Sequence, residues 1–273
     1  MNTMNENDLP VITVIIANYN YRALIEMAIN SAVKQDYPGD LQICIVDDGS
    51  TDDSWEIIQK RVGGEVKTVD NTLVIESEGD HPNQKFIAIH QENKGASAAR
   101  NTGIQYAWEE THAFAILDAD DEYYPNKVSR MVQKLLEDPA KIGVVYADYD
   151  IHDLKTGKIV REYKQPYNKD ILMSECIVHS NALINKLALA ATNEQTGFYD
   201  VNLHGPATGE FIGCSEDYDL WMRISEQFMI VHVPESLAKA TITGYNQTTN
   251  VTSEIFYNNF EYMMSKMRKR MNG

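Results

Sequence analysis

Three apolar, β-branched runs in this chain end abruptly in polar residues: VITVIIA (11–17) in a short polar loop, LQICIVDD (41–48) in two aspartates, and HAFAILDADD (112–121) in three. Uninterrupted hydrophobicity of this kind marks strands buried on both faces, whereas a sheet with one wet face alternates apolar and polar residues. Segments with helical spacing separate the runs: RALIEMAINSAVKQ (22–35), WEIIQKR (55–61) and, after a further strand KFIAIHQ (85–91), GASAARNTGIQYAWEE (95–110). PNKVSRMVQKLLED (125–138) starts on proline, as a helix can, and IGVVYADYDI (142–151) reads as a fifth strand. Strands alternating with helices predict βαβ units and an α/β fold, with a mostly parallel sheet covered on both faces.

Two stretches break the rhythm. Residues 61–84 read as an insertion with a small hairpin turning at Asp70-Asn71, and no chemistry is legible in it. Beyond about residue 150 the pattern loosens, with a hairpin around KTGK (155–158). Residues 1–150 and 151–273 are therefore expected as two halves of one domain. The last segment, SEIFYNNFEYMMSKMRKRMNG, spaces Phe256, Phe260, Met263, Met264, Met267 and Met271 helically and crowds Lys266, Arg268, Lys269 and Arg270 into its final turns. It reads as a helix packed on the domain, its cations set against the negative end of its dipole. An interfacial membrane helix or a subunit contact is the alternative.

The 273 residues carry a net charge of -16, which repels phosphate backbones and excludes nucleic acid as a natural partner. No apolar stretch is long enough to span a bilayer, and the first residues lack the basic and apolar regions of a secretory signal. A cytoplasmic protein is expected, with the inner membrane face as a further place if the last helix docks there. Cys44, Cys176 and Cys214 are too few and too scattered for a disulfide framework or zinc site.

In an open α/β sheet, ligands bind beyond the carboxyl ends of the strands. Asp47 and Asp48, Asp118 to Asp121, and the loop NYNYR all fall at that edge. Either acidic cluster alone is compatible with a capped, solvated turn. No glycine-rich phosphate loop accompanies them. Acids beside a phosphate require a divalent cation between, and carboxylates are hard oxygen ligands suited to Mg²⁺ or Mn²⁺.

Five segments occur in order: VITVIIANYNYRALIEMAINSAVKQDYPGDLQICIVDDGSTDDSWEII, ENKGASAARNTGI, AILDADDEYYPNKV, GFYDVNL and SEDYDLWMRI. Together they resemble the inverting glycosyltransferases of family 2, over most of residues 11 to 235. The resemblance implies a GT-A fold: a Rossmann-like, mostly parallel sheet with a looser acceptor-binding half. It implies a nucleotide diphosphate sugar donor, most often a uridine one, and a glycan, lipid-linked or other hydroxyl acceptor. It sets Ala17, Tyr19 and Asp48 at the base, Arg100 near the nucleotide, Asp118 near ribose and metal, and Asp120 on the metal. Asp217 matches the catalytic base, with Glu216 beside it towards the acceptor. His179 and Asn181 fall on the acceptor side.

The chain departs from the family pattern late. Many members carry Tyr-Arg-x-His before a polar loop, where Thr241 and Thr243 stand here, with Lys239 as a candidate substitute. Gly205, Gly209 and Gly213 suggest a lid before the base. Two rival functions are a sugar nucleotidyltransferase, against which the absence of a glycine-rich basic loop argues, and a non-catalytic nucleotide-sugar-binding module.

Overall fold

The computed structural model describes residues 9–203, 215–244 and 253–272. The chain runs β1 (Ile12–Asn18), α1 (Ile25–Val33), β2 (Leu41–Asp47), α2 (Ser54–Val62), β3 (Lys67–Val69), β4 (Thr72–Glu78), β5 (Gln84–His90), α3 (Ala96–Tyr106) and β6 (Ala113–Asp118). It continues with β7 (Glu122–Tyr123), α4 (Lys127–Leu135), β8 (Ile142–Asp153), β9 (Lys158–Glu162), α5 (Lys169–Leu172), β10 (Leu183–Asn185), α6 (Lys186–Thr192), α7 (Glu216–Ser225), β11 (Met229–Ile242) and α8 (Ser253–Asn272).

The described strands form one sheet in the order β3-β4-β5-β2-β1-β6-β10-β8-β11-β7, with β9 on β8. Its centre, β5-β2-β1-β6, is parallel throughout, as the continuous apolar runs predict. Side chains alternate across it. Val14 and Ile16 face α1, α2 and α4, while Ile15 faces α3 and α7, so both faces carry a buried layer. Gly103 lets α3 approach the sheet, since a Cβ there would meet Val46 and Ile15 at 3.1 and 3.2 Å.

The flanks differ from the simple βαβ expectation. The fifth predicted strand, β8, does not lie beside β6. The three-residue β10 is inserted antiparallel between them. So short a strand has no periodicity to read. The hairpin expected within 61–84 is present: β3 and β4 turn at Asp70 and Asn71, both at positive φ, and β4 adds antiparallel to β5. The KTGK hairpin joins β8 to β9.

Helix α8 packs on the body through Phe260, Met263, Met264 and Met267, while Phe256 and Met271 are exposed. Its cations do more than answer the helix dipole. Lys266 binds Glu194 (2.7 Å), Asp200 (2.7 Å) and Asp219 (3.0 Å), and Arg270 binds Glu194 and Glu226. No described helix is long and apolar enough to cross a membrane. Cys44 is buried and Cys176 exposed, while Cys214 lies outside the described residues.

Candidate active site

The carboxyl ends of β1, β2 and β6 meet at one edge because their registers align: Ala17 pairs with Val46 on one side and Asp118 on the other. Ala17 and Tyr19 lie there, both partly buried. Asp47 is scaffolding. Its buried carboxylate accepts from Asn18 Nδ2 (2.7 Å) and Ser50 Oγ (2.5 Å), and it lies 2.7 Å from His90 Nδ1. Gly49 follows at φ +69°, where a Cβ would approach Asn93 N to 2.8 Å.

Asp48 is buried beneath the turn into α3. Gln91 Nε2 (2.7 Å), the Lys94 amide (3.0 Å) and the Gly95 amide (2.7 Å) all donate to its carboxylate. Burial raises its pKa, and those three donors pull the other way. The residue matched to base recognition thus also fastens the 91–95 loop.

The four acids from the end of β6 onward separate by partner. Asp118 accepts from Arg100 Nη2 (2.8 Å) and Ser180 Oγ (2.9 Å); burial works against its charge, but Arg100 holds its pKa below the usual range. Asp120 is hydrogen-bonded by the Tyr21 phenol, and burial together with the Asp118 charge pushes it up to about 6. Asp121 is buried deeper, accepting from Asn181 Nδ2 (2.9 Å) and the Thr241 amide (2.9 Å), and burial raises it well above the usual range. Glu122 pairs with Lys239. Thr241, one of the two threonines expected in place of the late Arg/His pair, and Lys239, the candidate substitute, therefore brace the acidic loop itself, one through its backbone and one through charge.

Arg100, buried on α3, closes the arrangement. Beyond Asp118, its Nη1 donates to Glu216 Oε1 at 2.6 Å, and its guanidinium lies 5.3 Å over the Tyr199 ring. Burial opposes its charge, but Asp217, Asp118 and Glu216 raise its pKa well above the usual value. Glu216 and Asp217 open α7, whose Leu220, Trp221 and Ile224 are buried in the core as their spacing predicts. The helix cap is Ser215, so Asp217 lies inside the first turn and does not cap it. Its Oδ1 is buried with no hydrogen-bond partner among the described residues. A place at a helix start favours an ionised carboxylate, but the protein environment reverses that expectation. Burial, with Glu216 and Asp118 adding to it and Arg100 opposing, pushes Asp217 up to about 8.

His179 comes close to this group. Its ring lies 4.0 Å from that of Tyr149, the Asn181 amide meets its Nδ1 at 3.2 Å, and burial lowers it to about 3, so it is neutral near pH 7. Asn181 holds Asp121, and its carbonyl accepts from the buried Lys127 Nζ at 2.7 Å. The lid glycines lie outside the described residues.

Sequence reading missed Tyr21, Ser180, Tyr199 and Lys127. Nothing in NYNYR distinguishes Tyr19 from Tyr21, and a lone serine carries no pattern.

Two acidic groupings could be considered for a metal. Glu194, Asp200 and Asp219 place carboxylate oxygens within 4.8 Å of one another, but the Lys266 ammonium bonds all three and supplies the cation. Asp118 and Asp120 fit better. They are hard oxygen donors at a strand end, each raising the other's cost of ionisation, which a divalent cation would relieve.

The sequence profile of Glycosyl transferase family 2 matches residues 13–190. The chain belongs to that family. Among curated relatives of this family 2 protein is chondroitin synthase of Escherichia coli, 28% identical over 241 residues that make up 87% of this chain and 30% of that one. The chain thus spans less than a third of that relative. Among solved structures, S. aureus TarS 1-349 in complex with UDP-GlcNAc superposes with a TM-score of 0.64 at 18% identity, covering 92% of this chain and 65% of that one. The mannosyltransferase PcManGT from Pyrobaculum calidifontis, in complex with GDP-Man and Mn2+, gives 0.60 at 19%, covering 89% and 60%. These similarities establish the GT-A fold for the family 2 chain.

Proposed function

We propose that this family 2 protein transfers one sugar from a nucleotide diphosphate sugar to an acceptor hydroxyl, inverting the anomeric carbon. The observation that carries the reading is the convergence of the strand end bearing Asp118 and Asp120 and the first turn of α7 on Arg100. Asp217 stands beside that pair with a carboxylate oxygen that has no hydrogen-bond partner among the described residues and a pKa raised to about 8. A general base works best there, since a stronger base remains partly ionised at pH 7. It takes the acceptor's proton as the hydroxyl attacks C1. A single displacement needs no nucleophile on the protein.

Asp120, with Asp118 beside it, would hold Mn²⁺ or Mg²⁺. Bound there, the cation would stabilise the charge gathering on the departing nucleotide diphosphate. Arg100 keeps Asp118 ionised and carries positive charge towards the same place. Tyr19 and Asp48 form the base pocket, Tyr19 by stacking and Asp48 directly or through the loop it fastens. The uridine preference is supported by the family resemblance and by the UDP-GlcNAc bound to TarS. Glu216, tied to Arg100, orients that cation and is not a second base. The placement of His179 beside Tyr149 fits a neutral wall on the acceptor side. Residues 1–150 serve the donor and 151–273 the acceptor.

The test is donor turnover with Mn²⁺ across uridine, guanosine and thymidine diphosphate sugars, scored as transfer or slow hydrolysis. Release of nucleotide diphosphate from none of them, by a chain that binds them, would leave a binding module.

A further inference from the structure

Beyond Val145 the second half of β8 leaves β10 behind, and β9-β8-β11 continue, with the two-residue β7 on the far side of β11. Strand β9 is the opposite edge. Among the described strands β9 pairs only with β8, through Tyr149↔Glu162 to Asp153↔Lys158. Among the described residues nothing pairs with its outer row of backbone donors and acceptors, and such edges are usually blunted by charge, proline or brevity. This one is short and charged at Lys158, Arg161 and Glu162, yet it exposes Ile159 at 54% and Val160 at 45%, next to Tyr163 at 74%. Lys158 and Glu162, at the strand's two ends, make no ion pair with any described residue, in a chain where most arginines are paired.

We propose that β9 pairs antiparallel with β9 of a second copy of this chain, about a two-fold axis at Val160. A two-fold axis perpendicular to a continuous sheet passes midway between one residue and its own copy, which face each other. Centring on Val160 sets Val160 against Val160, Ile159 against Arg161, and Lys158 against Glu162 at both ends. Centring on Arg161 would set two guanidinium groups face to face. Centring on Ile159 would leave Glu162 beyond the pairing, opposite Thr156. Only the Val160 register joins an apolar centre to complementary charge at both ends, and such cross-strand pairs select register. The paired edge lies one strand from Tyr149, whose ring meets His179, so the second copy sits beside the acceptor side of the candidate site. The proposal itself does not depend on the reaction.

Two chains of charge -16 repel, and a five-residue edge is a small interface, so a weak, reversible dimer is expected. Sedimentation velocity of the full chain from about 1 to 300 µM, in about 0.15 M salt to shorten the reach of that repulsion, should show a monomer–dimer equilibrium. Lys158→Glu or Glu162→Lys alone places like charges opposite each other twice and should weaken dimerisation by on the order of tenfold or more. The double variant Lys158→Glu/Glu162→Lys should restore it. In a Cys176→Ser/Cys214→Ser background, Val160→Cys should form an intermolecular disulfide on oxidation, and Arg161→Cys should not. Circular dichroism melts check that each variant folds. A parent that stays monomeric throughout, or a dimer indifferent to both single reversals, overturns the proposal.

Discussion

Arg100 donates to Glu216 across 2.6 Å although 116 residues separate them, and the same guanidinium holds Asp118 at 2.8 Å. One buried cation therefore ties the end of β6 to the start of α7. Removing it leaves two or three enclosed carboxylates without compensation. Arg100→Ala should cost about 3–5 kcal/mol of stability, read by urea unfolding. Arg100→Lys should recover only part of this, because an ammonium cannot reach two carboxylates with a planar fork.

Asp217→Asn separates base from scaffold. Transfer should fall by a factor on the order of 10²–10⁴ while donor affinity holds. Near-normal turnover in the folded variant would send the search for a base to another acid.

The pH dependence follows from the raised pKa of Asp217. A carboxyl held up to about 8 is mostly protonated at pH 6.5 and mostly ionised at pH 9, so turnover at saturating donor should climb through that window. Stability runs the other way. The folded state keeps a proton that the unfolded chain sheds near pH 4, so this group's contribution is lost as pH rises from about 4 to about 8. Asp217→Asn abolishes the effect. Its melting temperature should gain on the parent's at pH 8 relative to pH 5.

The two acidic groupings should respond differently to metal. Asp120→Asn should abolish Mn²⁺-dependent nucleotide binding by calorimetry, with little loss of stability. Lys266→Met should leave that binding intact but destabilise the fold by about 3 kcal/mol, since Asp200 stays buried without its cation and Asp219 keeps only Arg223. Metal binding lost in the Lys266 variant and kept in the Asp120 variant would reverse the assignment.

Asp48→Ala should weaken uridine diphosphate binding by about 1–3 kcal/mol. It should also speed amide exchange at Lys94 and Gly95, whose donors lose their acceptor. Unchanged affinity would remove Asp48 from the base pocket.

The sequence by itself determined the parallel centre and the strand-end edge where the acids gather. Runs such as VITVIIA and LQICIVDD are buried on both faces, and that burial needs only local composition and period to be read. The same holds for the buried face of α7 and for the Asp70-Asn71 turn, whose positive φ angles suit those residues. Tertiary structure decided which acid does what. DADDE is one uniform stretch on paper, yet Arg100, Tyr21, Asn181 and Lys239 reach it from four distant elements and give its members different partners and different proton affinities. The same is true of Lys266, which reads as one cation among four on α8 until folding encloses it among three carboxylates. Charge is written locally, but its energy depends on burial and on neighbours brought from far along the chain, and those exist only after the fold has formed.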